Sequence, residues 1–355
     1  MRMSDQGAAM RKPYRRRLLV VSLMVAVSML ALGVRGWLLD VWQQPLELPP
    51  EGVVLEVSPG EGLSAVLSRA EALGWLSRAR WVGFVAGLRK LDERMHIGEY
   101  RLLPGLRADG LVEKLTRGDV LQYQVTLPEG ITLARALDVL CAQQSLTCSL
   151  DGVNDPRLLS LVAPHDAAEG WFLPETYSYR RGNSDWDVLQ QAHRLMTKEL
   201  MALWNQRDAE LPLESPYDAL RLASIVERET GLASERPEIA GVFIRRLERG
   251  MRLQTDPTVI YGLGSRYEGN LTRAHLLDPE NPYNTYRIHG LPPTPIALPG
   301  RAALEAVVHP AEGDALYFVA RGDGSHAFSA TLEAHQEKVR QYQINRRSDY
   351  RSSPE

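Results

Sequence analysis

Residues 215–264 read SPYDALRLASIVERETGLASERPEIAGVFIRRLERGMRLQTDPTVIYGLG, and this stretch predicts the helix around which the rest of the chain is organised. Ser215 is a typical N-cap residue, Pro216 suits the first helical turn, and Asp218 occupies the position of a capping-box acid. Gly231 is placed to end the helix after about four turns. At 100° per residue, one narrow strip of this helix is polar and the remaining arc is apolar. The polar strip consists of Arg221, Ser224 and Arg228.

Two glutamates, Glu227 and Glu229, fall inside the apolar arc. Burying an acid is costly unless the acid is paired or stays protonated, and a protonated acid in apolar surroundings is a candidate general acid. Side chains at i and i+2 of a helix diverge by about 200°, so these two cannot act together on one bond. From the pattern alone, an ordinary glutamate at the edge of the core is the favoured interpretation of either residue. The pattern does not choose between them.

The charge of the chain is distributed unevenly. Its 355 residues, enough for two domains, carry a net charge of −3. The first 17 residues hold six basic side chains against one acid, a net +5, so the remainder carries −8. An acidic body argues against nucleic acid as the main partner. The two cysteines, Cys141 and Cys148, are too few for a disulfide scaffold, and a disulfide or a reduced pair is equally compatible with the sequence.

An apolar run follows the basic tail of residues 1–17 and predicts a transmembrane helix over residues 18–39. Arg35 near its end is able to snorkel, and Trp37 is an interfacial anchor. The basic tail predicts a cytoplasmic N-terminus, and hence a body on the periplasmic (extracytoplasmic) side of the inner membrane. A cleaved signal peptide is the alternative, because residues 31–33 (ALG) loosely resemble a cleavage site. The length of the run favours an uncleaved anchor.

The chain after the anchor predicts a linker over residues 40–52 and a small α+β module over residues 53–150. Within the module, VSPGEGLS (57–64) resembles VTLPEGIT (125–132). Each copy predicts a strand, a Glu-Gly turn, a Ser/Thr cap and a helix. We interpret the pair as an internal duplication, with a coincidence of turn chemistry as the alternative.

A larger mixed α+β domain is predicted over residues 151–345, followed by a disordered tail over residues 346–355. Its segment EGWFLPETY (169–177) is either a substrate wall or, as we favour, a packed crossover. After the central helix come a helix capped by Ser234, a polar turn over residues 253–258, a long loop rich in amides and aromatics, and a β-hairpin.

Several kinds of chemistry have no sequence support. The chain has no H-E-x-x-H pattern, no P-loop and no G-x-S-x-G nucleophile elbow, so we predict neither a metal nor a cofactor. An acid on an apolar helix face, with tyrosines and amides on loops nearby, is suited to binding and cutting a carbohydrate chain. Glycoside cleavage usually requires two carboxylates.

Motifs spread from residue 222 to residue 328 closely resemble those of the YceG-like family of endolytic murein transglycosylases. They are LASIVERET (222–230), ASER (233–236), VFIRRL (242–247), GMRLQTDPTVIYG (250–262), YNTY (283–286), GLPP (290–293), HPA (309–311), LYFVA (316–320) and HAF (326–328). The resemblance extends over the anchor, the first module and the second domain. It implies a LysM-like, carbohydrate-binding first module and a catalytic second domain. The catalytic acid of the family is the first glutamate of the I-V-E-x-E-T run, which is Glu227 here.

The activity implied by the resemblance is cleavage of the β-1,4 bond between N-acetylmuramic acid and N-acetylglucosamine in peptidoglycan, with 1,6-anhydro ends as products. Peptidoglycan strands are the implied substrate, and peptidoglycan synthases are implied partners. A hydrolytic muramidase and a non-catalytic cell-wall scaffold are the alternatives. The residues predicted to position the substrate are Gln254, Asp256, Tyr261, Asn284 and Tyr286.

A catalytic role for Glu227 has a structural requirement. Glu227 must be shielded from solvent, carry its proton at working pH, and lie within reach of a bound sugar. A carboxylate that is both salt-bridged to an arginine and walled off from every groove would contradict it.

Overall fold

The computed structural model describes residues 11–91 and 95–344, with side chains from residue 17 onward. Most of the predicted basic tail and the whole predicted disordered tail therefore lie outside the described residues. The chain divides into two compact units, Met1–Gln122 and Tyr123–Glu355. Each unit has its own buried apolar core, and the class is mixed α+β, as predicted.

The first unit begins with the long helix α1, which is followed by an antiparallel strand pair and three shorter helices. In α1, residues 17–43 are long and apolar enough to cross a membrane, and the side chains of residues 18–34 are all exposed. The strands pair with Val53 opposite Leu102. The elements are α1 (Arg11–Gln43), β1 (Val53–Val57), α2 (Leu63–Ala72), α3 (Ala79–Leu88), β2 (Gly98–Leu102) and α4 (Ala108–Arg117).

The segment predicted to be an extended linker, residues 40–52, packs into the first unit instead. Val41, Trp42 and Leu46 are buried in its core. The backbone N–H of Leu46 donates to the carbonyl of Leu106 at 2.8 Å. The prolines and glutamines of this segment predicted a spacer. The free energy gained by burying its apolar side chains exceeds the conformational entropy that the segment loses on packing.

The second unit is mainly helical, with two antiparallel strand pairs. β3 pairs with β4, and β5 pairs with β6 as the predicted hairpin. The elements are β3 (Tyr123–Thr126), α5 (Leu133–Cys141), α6 (Pro156–Leu161), β4 (Thr176–Tyr179), α7 (Asp185–Asn205), α8 (Pro216–Glu229), α9 (Arg236–Glu248), α10 (Asp256–Leu263), α11 (Arg273–Leu277), α12 (Arg301–Val308), β5 (Tyr317–Ala320), β6 (His326–Ser329) and α13 (Leu332–Val339).

Both copies of the repeated motif form a strand, a turn and a helix, but they lie in different units. β1 pairs with β2 in the first unit, whereas β3 pairs with β4, with Tyr123 opposite Tyr179, in the second. The boundary between compact units therefore falls after residue 122 rather than after the predicted 150. The helix caps also differ: Thr132 caps α5 by accepting from the Arg135 N–H, whereas Gly62, not Ser64, occupies the N-cap of α2.

Helix α8 lies at the centre of the second unit, in contact with α7, α9, α10 and α12. The predicted capping box is present: the Ser215 hydroxyl accepts from the Asp218 N–H, and the Asp218 carboxylate accepts from the Ser215 N–H. The helix ends at Glu229 with an extended Thr230 at its C-cap, so Gly231 lies just past the C-terminus, as predicted, without a positive φ. Ser224 is fully buried rather than part of a solvated strip.

Other local predictions need correction. The residues predicted as a polar turn open helix α10 at Asp256, and Ser234 lies in a single 3₁₀ turn, with Glu235 at the N-cap of α9. Cys141 and Cys148 form a disulfide at the end of α5. The aromatic crossover is packed into the core, as favoured: Phe172 and Tyr177 are almost fully buried.

Candidate functional site

Glu227 lies in the last turn of α8, and its side chain is only 4% exposed. One carboxylate oxygen accepts from Arg236 Nη2 at 2.8 Å, and the other accepts from the Gly300 N–H at 3.0 Å. The residue also lines a cavity of about 450 Å³. Glu227 is thus salt-bridged to an arginine, which would count against a catalytic role, but it is not walled off from a cavity.

The surroundings of Glu227 raise its pKa above the ordinary glutamate value. Burial is the main cause, because the charged form loses hydration. The Gly300 N–H and Arg236 oppose this effect by stabilising the carboxylate, whereas the negative charge of Glu129 adds to it. At a given pH, Glu227 is therefore protonated to a greater extent than an exposed glutamate.

Arg236 joins Glu227 to a second carboxylate. Its Nη2 atom lies 2.8 Å from the Glu227 carboxylate and 3.3 Å from that of Glu129. Glu129 belongs to the turn between β3 and α5, and 45% of its side chain is exposed. One guanidinium therefore bridges a shielded and a solvated carboxyl group at this cavity.

Gly300 allows this arrangement by having no side chain. It is the N-cap residue of α12, and its backbone N–H points at Glu227. A Cβ atom at this position would lie 1.8 Å from a carboxylate oxygen of Glu129. Any other residue would displace Glu129 from the cavity.

His326 lines the cavity on the side of the β5–β6 hairpin and is held by Glu235. The Glu235 carboxylate accepts from the His326 N–H, and its other oxygen lies 2.8 Å from His326 Nδ1. Both side chains are nearly buried. This pair fixes β6 to the start of α9, the helix that carries Arg236.

A second cavity of about 410 Å³ adjoins the first and brings together three of the predicted substrate-positioning residues. Gln254, Asp256 and Tyr286 line it, and the Tyr286 hydroxyl donates to Asp256 at 2.7 Å. Glu229 and His326 line both cavities, so the two are neighbours, and we refer to them together as the groove.

Glu229 is held at the junction of the two cavities by a hydrogen bond from the Thr255 hydroxyl. Burial raises the pKa of Glu229 to about 7. Burial therefore disfavours the charged form of both glutamates of α8. Of the two, Glu227 is the one that shares Arg236 with the second carboxylate, Glu129.

Tyr261 lies elsewhere. It lines a separate cavity of about 540 Å³ with Glu169, and its hydroxyl donates to the Glu169 carboxylate at 3.2 Å. The other oxygen of Glu169 accepts from the Leu133 N–H at 2.9 Å. Burial raises the pKa of Glu169 to about 7. The structure does not bring Tyr261 to the groove that contains Glu227.

Asn284 is fully buried and bonds to the protein itself. Its amide nitrogen lies 2.8–3.2 Å from three backbone carbonyls of α11 and the following turn, and its oxygen accepts from the Tyr286 N–H at 3.1 Å. It therefore shapes the loop that presents Tyr286, and is shielded from the groove itself.

Sequence reasoning did not identify Glu129, Arg236, Gly300 or His326 as site residues. For Glu129 a signal existed, because it is the acid of the repeated Glu-Gly turn, which we read only as turn chemistry. The other three come from separate elements and have no local pattern. Only the packing of α9, α12 and β6 around the end of α8 brings them together.

Among the residues that the structure describes, one grouping of possible metal ligands occurs, namely Cys141, Cys148 and Asp185. The two cysteines are joined as a disulfide, and Asp185 accepts hydrogen bonds from Ser149 and Leu150. These contacts explain the grouping as structural.

Comparison with known proteins places the chain. The model of the YceG-like family matches residues 55–341. A Bacillus subtilis protein named endolytic murein transglycosylase is 31% identical over 69% of this chain and 72% of its own length. A Streptococcus pneumoniae protein of the same name is 26% identical over 82% of this chain, which spans 58% of that relative. The crystal structure of a Listeria monocytogenes protein described as yceG-like is 28% identical and superposes with a TM-score of 0.51 over 82% of this chain and 100% of that one. This chain belongs to the YceG-like family.

Proposed function

We propose that this protein is a membrane-anchored lytic transglycosylase that cuts the β-1,4 bond between N-acetylmuramic acid and N-acetylglucosamine within nascent peptidoglycan strands. The observation that carries the proposal is Glu227, a shielded acid with a raised pKa that lines one of two neighbouring polar cavities. The names of the Bacillus and pneumococcal relatives support the substrate class.

In the proposed mechanism, protonated Glu227 gives its proton to the leaving glycosidic oxygen, and the C1–O bond breaks. The muramoyl ring then carries positive charge, shared between C1 and the ring oxygen. The Glu227 carboxylate next takes the proton from the muramoyl 6-hydroxyl, whose oxygen bonds to C1. A 1,6-anhydro ring results, Glu227 is protonated again, and no water is consumed.

Glu129 takes the second carboxylate's part as an electrostatic stabiliser. It lies against the same guanidinium as Glu227, and in this mechanism its carboxylate would face the positive charge that develops on the muramoyl ring. No covalent attack by Glu129 is needed, because the 6-hydroxyl of the substrate is the nucleophile. The ion pair between Arg236 and Glu227 has to break before Glu227 donates its proton, while Arg236 stays paired with Glu129. Arg236 is therefore a positioning residue.

The adjoining cavity would hold further sugars of the strand. Asp256 and Tyr286 offer a carboxylate and a phenol beside Gln254, a set able to bond hydroxyls and acetamido groups. Tyr261 instead donates a hydrogen bond to Glu169 in a separate cavity, and Asn284 accepts one from the backbone N–H of Tyr286. We therefore rank the first three above the other two as contacts to substrate.

The anchor and the first unit complete the proposal. α1 would cross the inner membrane once with its N-terminus in the cytoplasm, supported by its apolar residues 17–43 and the basic tail before it. The first unit would be LysM-like and bind glycan, and peptidoglycan synthases would be partners. Cutting within strands beside the membrane would terminate their elongation.

The test is digestion of purified sacculi by the full chain in detergent micelles, followed by mass spectrometry of the products. Products that lack the elements of water establish the transglycosylase. Products that contain them would identify a hydrolytic muramidase, and an absence of products would identify a binding scaffold.

Site variants sharpen this test. Glu227→Gln should lose at least about a hundredfold in rate, the usual contribution of a general acid. The matched control is Glu229→Gln on the same helix, which should lose less than about tenfold, because the amide oxygen of glutamine can still accept from Thr255 and Glu229 is not the proposed proton donor. Larger loss at Glu229 than at Glu227 would contradict the assignment of the acid.

A further inference from the structure

Helix α3 of the first unit displays a row of large apolar side chains that stay substantially exposed among the described residues. Trp81, Phe84 and Leu88 are 42%, 50% and 66% exposed. They occur at i, i+3 and i+7, so they form one stripe along the helix. The buried side of α3, which includes Val82 and Ala86, faces the core of the unit. Single exposed apolar residues are ordinary, but an aligned aromatic and aliphatic row marks a contact surface.

The stripe lies directly beside α1. The rings of Trp81 and Trp37 pack edge to face with centroids 5.0 Å apart, and Phe84 follows with its centroid 5.9 Å from Trp81. Trp37 is near the end of the predicted membrane span, where tryptophan prefers the boundary between hydrocarbon and headgroups. The N-terminal part of α3 is therefore level with that boundary.

The other end of α3 extends beside the apolar part of α1. Leu88 and Val85 line a cavity of about 650 Å³ together with side chains of α1 as far back as Val27. Val27 precedes Trp37 by ten residues, about 15 Å along the helix axis. A bilayer has a hydrocarbon core of about 30 Å, so this apolar cavity reaches towards its middle.

Two more features hold this surface at the membrane. The residues that follow α1 are packed into the first unit, as the burial of Val41 and Trp42 shows, so no flexible tether separates α3 from α1. Basic side chains precede the stripe at the end level with the membrane boundary, where anionic headgroups would attract them. They are Arg78 and Arg80.

We propose that α3 is an interfacial helix that inserts Trp81, Phe84 and Leu88 among the lipids of the leaflet from which the body emerges, with phospholipid acyl chains in the cavity between α1 and α3. This inference rests on the proposed anchoring by α1. It gives the first unit a fixed height at the membrane surface. That unit would accordingly meet glycan strands close to the bilayer, where newly made chains emerge.

The experiment uses the full chain in nanodiscs of phosphatidylcholine and phosphatidylglycerol, with single cysteines carrying an environment-sensitive NBD dye. The native cysteines are joined, so they do not react with the dye. The test variants are Phe84→Cys and Leu88→Cys, and Leu30→Cys in α1 reports on the anchor. The matched control is Leu73→Cys, which has a similar exposure (53%) and follows α2. Only variants that keep the wild-type circular dichroism spectrum are compared.

Brominated lipid should quench the dye at positions 84 and 88 to an extent comparable with position 30, and should leave position 73 unaffected. If position 30 is quenched while 84 and 88 behave like 73, the anchor stands and the interfacial helix is refuted. If position 30 is not quenched, the anchoring itself fails, and this inference with it. Shielding of 84 and 88 that brominated lipid does not change would mean that protein covers the stripe, which also overturns the proposal.

Discussion

At the scale of single residues, the site depends on the difference between two carboxyl groups that share one arginine. Glu227 is shielded and has a raised pKa, whereas Glu129 keeps nearly half of its side chain in solvent. Such a difference is what allows one acid to donate a proton while its neighbour remains charged. The bridging Arg236 and the charge of Glu129 act on the pKa of Glu227 in opposite directions.

This opposition predicts opposite pH shifts in two variants. Glu129→Gln removes a negative charge that raises the pKa of Glu227, so Glu227 loses its proton at lower pH, and the alkaline limb of the activity profile should move to lower pH. Arg236→Gln removes a charge that lowers this pKa, and the same limb should move to higher pH. Rates of sacculus digestion across pH measure both limbs.

Arg228→Gln is the matched control, because Arg228 borders the same cavity but donates to the carbonyl of Gly130 instead of a carboxylate. Its profile should stay close to that of the wild type. Shifts in the same direction for Glu129→Gln and Arg236→Gln would refute the electrostatic roles given to them.

Glu169 predicts a pH dependence of stability. Its folded pKa is about 7 against an ordinary 4.5, so the folded state keeps a proton that the unfolded chain releases in this window. The stabilisation is complete below about pH 4.5 and is lost as pH rises through 7, a change on the order of 3 kcal/mol. The substituted side chain of the Glu169→Gln variant cannot ionise, so this variant should lose less stability than the wild type between pH 5 and pH 8. Urea denaturation at each pH measures the difference.

The exposed Glu175 on the same crossover gives the control. Glu175→Gln should lose as much stability over this pH range as the wild type does. Equal slopes for the wild type and Glu169→Gln would mean that Glu169 is ionised in the folded protein.

At the scale of elements, α8 determines where the chemistry is placed. Its first turn is fixed by the Ser215–Asp218 capping box, its middle is surrounded by four other helices, and its last turn holds Glu227. The end of the helix is extended at Thr230, which turns the chain towards α9 and Arg236. A change at the cap therefore acts on folding more than on chemistry.

We expect Ser215→Ala to lower the free energy of unfolding by about 1 kcal/mol, the usual contribution of an N-cap side chain. Ser234→Ala should change it by less than about 0.5 kcal/mol, because Ser234 makes no capping bond and is exposed. Urea denaturation followed by tryptophan fluorescence compares the two. Equal losses would contradict the capping box at α8.

At the scale of the whole molecule, function requires that the body reach the compartment that contains peptidoglycan. In the proposed orientation, the excess of basic residues before the apolar span keeps the N-terminus inside, since positively charged flanks stay in the cytoplasm. Among the described residues, one helix is long and apolar enough to cross a membrane, and in the proposed orientation it would place everything after residue 43 on one side.

Replacing the basic residues of 11–17 by glutamine should lower the fraction of chains with an external body several-fold. Alkaline phosphatase fused to the C-terminus of the full chain reports this fraction, because the enzyme is active only outside the cytoplasm. Arg35→Gln serves as the control, and it should not reduce the signal, because Arg35 lies at the other end of the span. An unchanged signal after loss of the basic tail would refute the orientation.

The sequence by itself determined the features that depend on neighbours along the chain. The limits of α8, its capping box, the apolar span, the hairpin β5–β6 and the family motifs follow from local periodicity, turn chemistry and composition. The helical pattern also singled out Glu227 and Glu229 as acids on an apolar face, but only the family resemblance selected Glu227 as the expected catalytic acid.

Only the tertiary structure decided which distant residues meet. β3 pairs with a strand fifty residues later rather than within the predicted module, and residues 40–52 pack instead of extending. Arg236, Glu129 and Gly300 converge on Glu227 from three separate elements, while Tyr261 and Asn284 are directed elsewhere. The physical reason is that local patterns constrain a helix or a turn, but side-chain contacts between elements depend on how apolar faces pack, which no short stretch of sequence encodes.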